Sequence, residues 1–167
     1  MPLNSGYLKK ETDVRDAMKR LSSFIVKIPE YYKNLSSEEL HRKAAPGKWS
    51  KKEILGHLVD SAINNLKRFT EIQFLPQPYI IIQYRQDDLV IINDYQHLEL
   101  DHIIGLWKSL NRQIIFVVEK ISQEKLVYPV DPQYDEHEIK TLAWVICDYV
   151  THMEHHFRQI NEMNYEL

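Results

Sequence analysis

The sequence holds a single cysteine, Cys147, which excludes an internal disulfide and any multi-cysteine zinc site. That lone thiol reads as a small buried hydrophobe and agrees with a reducing compartment. Glycine and proline are sparse, four and seven among 167 residues, so neither a linker nor a low-complexity tract divides the chain, and one domain over 1–167 is expected. No apolar run approaches the ~20 residues needed to cross a bilayer. The longest, Tyr79–Ile82 and Leu89–Ile92, are far too short. Basic charge is also lacking: the net charge is −3, whereas phosphate recognition needs clustered Lys and Arg, so a nucleic-acid partner is not expected. Met1–Gly6 lacks the basic start and apolar stretch of a secretory signal. The expectation is a cytoplasmic protein with no membrane partner.

What is present is helical periodicity. Val14, Ala17, Leu21, Phe24, Ile25 and Ile28 line one face of a first helix from Glu11 to about Asn34, with a kink or restart expected at Pro29 because proline removes a backbone donor. Ser36 and Ser37, followed by Glu38 and Glu39, open a short helix through Arg42. Ser50 with Glu53 makes a capping box that starts a second long helix running to about Thr70. Its apolar face, from Ile54 to Phe69, is wide enough for two neighbouring helices. A third helix spans about Leu98 to Ile121, and a fourth begins near Lys140 or Thr141 and includes Ile160. Without convincing strand alternation, this is an all-α four-helix bundle. Two connections are long. Residues 71–97 carry a β-prone run and are expected to cross over as a lid, and 122–140 have room for a small hairpin.

Eight histidines are many for this length. His41, His97, His102 and His137 stand singly in polar contexts and read as solvated side chains. His152 and His156 lie one helical turn apart, so both imidazoles can aim at one point. His155 competes for the second position but sits on the shoulder of the stripe through Val145, Tyr149, His152, His156 and Ile160. A histidine pair at this spacing is often only a polar patch. His57, however, lies in the middle of the apolar face of the second helix, where a lone imidazole needs a partner to offset its desolvation. Three imidazoles suit a divalent ion of the zinc or nickel kind, and three protein ligands leave a coordination position open. Asp148, Glu53 and Asp60 are each about a turn from a ligand and are candidate acceptors for the ring nitrogens that face away from the ion.

Gly47-Lys48-Trp49-Ser50, the run Glu53 to Asp60 around His57, and the run Asp148 to Ile160 together resemble the DinB-like superfamily, in particular its YfiT-like metal-dependent hydrolases and bacillithiol transferases. The resemblance covers about Val14 to Ile160. It implies an up-down-down-up four-helix bundle with a long crossover loop between helices 2 and 3, and metal ligation by His57, His152 and His156. Trp49 matches an aromatic residue for which packing is a sufficient role.

The function this leads to is an enzyme whose open three-histidine metal site activates either water, for hydrolysis of a small molecule, or a low-molecular-weight thiol, for S-transfer. Cys147 is poorly suited to be that thiol. The alternative is a non-catalytic metal- or small-ligand-binding bundle. Broad apolar faces are compatible with a homodimer.

Overall fold

The computed structural model describes residues 13–133 and 138–163. His137 and the N-terminal hexapeptide lie outside them. Four long helices form the bundle: α1 (Val14–Lys33), α3 (Lys51–Glu71), α5 (Leu100–Val118) and α7 (Leu142–Glu162). Between them lie short α2 (Ser37–His41), strand β1 (Tyr79–Ile80), α4 (Gln86–Ile92), α6 (Gln123–Leu126), and strands β2 (Pro129–Asp131) and β3 (Lys140–Thr141).

Local chemistry sets the helix starts. Asp13 caps α1 by accepting from the Asp16 amide at 3.0 Å. The capping box expected at α3 is present: Ser50 Oγ accepts from the Glu53 amide at 3.2 Å while Glu53 Oε2 accepts from the Ser50 amide at 2.7 Å. Thr141 caps α7 through the Trp144 amide at 3.2 Å. Of the kink or restart expected at Pro29, the restart is corrected: α1 is one helix from Val14 to Lys33. Pro29 is itself buried between Ile28 and Tyr32, so burial of that face outweighs the missing donor. Tyr32 then donates to the Lys51 carbonyl at 2.7 Å, tying the end of α1 to the start of α3.

Side-chain contacts fix the directions. Arg20 meets Glu154 at 2.8 Å and the Tyr31 hydroxyl reaches the Ile160 carbonyl at 3.4 Å, so α1 and α7 run parallel. His57 faces His156 near the start of α3, while Phe69, near its end, faces Tyr149, so α3 runs against α7. Val14 and Met18 at the start of α1 border the same groove as Val118 and Ile121 at the end of α5, so α5 runs against α1. The topology is up-down-down-up, with α3 and α5 parallel. Two parallel neighbours cannot be joined by a tight turn, and this is why the crossover is long.

The crossover has more structure than its sequence announced. β1 pairs in parallel with β2 (Tyr79↔Val130), and β2 pairs antiparallel with β3 (Val130↔Lys140), forming a three-stranded sheet that joins the two long connections. Helix α4 then packs on α3. There the Tyr95 ring lies against Gly56 so closely that a Cβ on Gly56 would sit 2.1 Å from two ring carbons. The Tyr95 hydroxyl donates to Asp60 Oδ1 at 2.7 Å, and Asn93 Nδ2 donates to the same oxygen at 2.9 Å. The core they cover is one cluster running from Ala17 to Ile160, with Trp107, Tyr32 and Phe69 its largest fully buried side chains. No helix among the described residues is long and apolar enough to cross a membrane.

Candidate metal centre

His57 is fully buried on α3, and the apolar periodicity that buries α3 also turns its ring toward α7. From α7, His152 and His156 present rings one turn apart, half-buried, with centroids 4.5 Å from each other. The His57 centroid is 5.3 Å from His152 and 4.8 Å from His156. All three rings turn Nε2 inward: His152 Nε2 is 3.5 Å from His57 Nε2 and 3.1 Å from His156 Nε2. One ligand atom from each lies within 4.8 Å of the others. Among the described residues this is the group of histidine and acidic side chains that meets that criterion.

Tautomer and charge follow from the surroundings. His156 Nδ1 lies 3.0 Å from Gln159 Oε1, which only accepts, so Nδ1 carries the proton and Nε2 is left with its lone pair pointing inward. Burial drives His57 down to about 3, with His156 and His152 adding repulsion. Burial likewise drives His152 down to about 4, aided by His156 and His155. His156 is lowered by burial, with Gln159 opposing. The three rings are therefore neutral at neutral pH, the form in which imidazole ligates a metal.

A neutral imidazole has one lone-pair nitrogen, and in the tautomer held at His156 that nitrogen is the one turned toward His57 and His152. The donor set fits a divalent cation of borderline softness, three nitrogens with no thiolate and no carboxylate. Trp49 lies alongside, its ring centroid 4.8 Å from His57 at 33° and 6.5 Å from His156, a packing role consistent with the expectation for it.

The outer contacts differ from those expected. Glu53 is held by the capping box and by Lys43 at 2.8 Å. Asp60 is taken by Tyr95 and Asn93, and its Oδ2 is buried without a partner. Asp148 lines a neighbouring cavity and makes no hydrogen bond to His152. The contact that does exist, Gln159 to His156, was missed, although its spacing three residues after His156 was visible in the sequence. His57 Nδ1 is buried and has no hydrogen-bond partner among the described residues. His155 is exposed and outside the cluster, 5.5 Å from the His156 centroid. Cys147 is buried, and that burial pushes its thiol up to about 11, which removes it as a nucleophile.

Beside the cluster, the crossover residues Ile81, Gln83, Tyr84 and Gln86 line a cavity of about 110 Å³ together with His152.

The model of the DinB superfamily matches residues 26–160. A protein of Oceanobacillus iheyensis named "putative metal-dependent hydrolase" is 21% identical over 153 residues, covering 89% of this chain and 83% of its own length. Among solved structures, YfiT from Bacillus subtilis, described as "a probable metal-dependent hydrolase with an unusual four-helix bundle topology", matches with a TM-score of 0.80 at 19% identity. That match covers 89% of this chain and 84% of the other.

Proposed function

This chain belongs to the DinB superfamily, and from that premise we propose that it is a metal-dependent enzyme acting on a small molecule, with His57, His152 and His156 as the ligands of one divalent ion. The observation that carries the reading is the inward convergence of three neutral Nε2 atoms from two helices. Zinc or nickel fits three imidazoles, and either one supplies a Lewis acid that makes a bound water or thiol easier to deprotonate.

The chain's own residues supply the rest. The buried face of α3 fixes the His57 ring, and the α7 turn fixes the spacing of His152 and His156. Gln159 holds the tautomer of His156. Trp49 packs against the His57 and His156 rings. Both similar proteins are named as hydrolases, which supports hydrolysis over S-transfer. No cysteine of this chain competes as the thiol, so S-transfer would require a low-molecular-weight thiol from solution.

The test is turnover of the zinc- and nickel-loaded protein on esters, amides, and thiol-plus-electrophile pairs, each repeated after chelation. Metal-dependent ester or amide cleavage supports hydrolysis. Reaction only when a thiol is supplied replaces it with S-transfer. A chelator-sensitive Tm without turnover overturns the enzyme reading in favour of a metal-binding bundle.

A further inference from the structure

The cavity beside His152 is built from charged and polar groups that neither the bundle nor the three histidines require. Arg68 of α3 enters it half-buried, its Nη2 donating to the Ile82 carbonyl at 3.2 Å and its Nη1 to Asn65 Oδ1 at 3.5 Å. Its guanidinium carbon lies 5.7 Å from the centre of the Tyr84 ring. Tyr84 is hydrogen-bonded in turn to Ser61. The cation is thus anchored by the crossover, yet Arg68 makes no ion pair among the described residues, although guanidinium is the side chain best shaped for a carboxylate.

The same cavity is lined by Asp148, one turn before His152 on α7. It too makes no ion pair among the described residues. Desolvation raises the Asp148 carboxyl against the opposing charges of Arg68 and Lys140, and Lys140 is already paired with Glu138 and lies over the Trp144 ring. The cavity therefore carries one fixed cation and one carboxylate, each able to accept a partner of opposite sign.

A bare anion would pair with Arg68 but lie against Asp148. A bare cation would do the reverse. A ligand with both charges satisfies both walls, and a volume of about 110 Å³ admits a head group of a few heavy atoms rather than a large molecule.

We propose that this cavity is the substrate subsite for an α-amino-acid head group, its carboxylate on Arg68 and its ammonium on Asp148, with the adjoining bond presented toward His152. The functional meaning of the subsite rests on the metal-centre reading, but the binding itself does not, since neither Arg68 nor Asp148 is a proposed ligand.

The experiment uses the chelator-treated full-length protein, with the Trp144 indole N–H followed by NMR while glycine, acetate or methylammonium is added. Glycine is expected to bind more tightly than either single-charge probe. Arg68→Gln should weaken glycine and acetate by about ten-fold or more, the scale of one lost charge-assisted hydrogen bond. Asp148→Asn should weaken glycine by a similar factor and leave acetate unchanged or tighter. Asp148 is exposed, so this second variant is expected to fold even if Arg68→Gln does not. Equal binding of acetate and glycine, insensitivity to Asp148→Asn, or no response to any probe overturns the assignment. If the histidines bind no metal but glycine still depends on both residues, the subsite stands without its reactive role. If metal is bound and catalysis occurs while the probes show no dependence on Arg68 or Asp148, the subsite alone is overturned.

Discussion

At the scale of single residues, the account depends on which ring nitrogen faces inward and what holds it there. That His57, His152 and His156 come together was legible in the sequence, because four-residue spacing on a helix and a histidine on an apolar face are both readable. Outer contacts were not readable from distance along the chain alone. Glu53 was claimed by a helix cap and Asp60 by the crossover, and both competing partners become neighbours only when the chain folds. Gln159 now takes the role once sought among acids. Gln159→Ala is expected to lower metal affinity about 10- to 100-fold while leaving the Tm of the metal-free protein nearly unchanged, as read by competition with a metal indicator. An unchanged affinity would mean that tautomer control lies elsewhere.

The same rings give a pH dependence of defined sign. In the unfolded chain they titrate near 6.5, whereas in the fold His57 and His152 are lowered to about 3 and about 4, chiefly by burial. Between those values the unfolded state binds more protons, so the stability of the metal-free protein is full above about pH 6.5 and is lost as pH falls toward 4. Thermal melts of metal-free protein from pH 7 to 4 should show this decline, and it should be shallower in His57→Ala. Equal slopes in the two proteins would contradict the buried, neutral imidazoles.

At the scale of elements, the long helices were legible because burial and capping point the same way: Ser50 and Glu53 form the expected box, and α3 buries one side from Ile54 to Phe69. A restart at Pro29 does not occur because the rule against interior proline counts a local donor, while Ile28, Pro29 and Tyr32 are buried together. The crossover was only partly legible. Tyr79–Ile82 looked β-prone and does contribute β1, but its partner lies about fifty residues on at Val130, a pairing with no local signature. Helix α4 went unforeseen because it is seven residues long and buries only Val90, while Tyr95, just beyond it, packs against Gly56. That docking gives a sharp test. Gly56→Ala would force Tyr95 away from α3, and overpacking of this kind costs about 1–3 kcal/mol. The expected result is a lower Tm with increased amide exchange over residues 86–95. A wild-type Tm would show that the crossover does not lean on Gly56.

At the scale of the whole molecule, the helix count came from periodicity, whereas the up-down-down-up order came from family resemblance. The contacts now give that order independently, from Arg20–Glu154, Phe69–Tyr149 and the groove shared by Met18 and Val118. Periodicity says which face of a helix is buried but not which neighbour buries it, so direction could not be read from the sequence. The centre sits where that topology brings the start of α3 against the latter half of α7, on a scaffold already held by a continuous apolar core. The fold should therefore outlast the ion.

The most direct measurement is elemental analysis of protein purified without chelator or nickel resin, beside His57→Ala handled identically and checked by circular dichroism. The expected result is one divalent ion per chain in the wild type, most of it absent from the variant, with helical content largely kept. Full metal content in the variant, or a wild type that stays metal-free even when offered zinc or nickel, would contradict it.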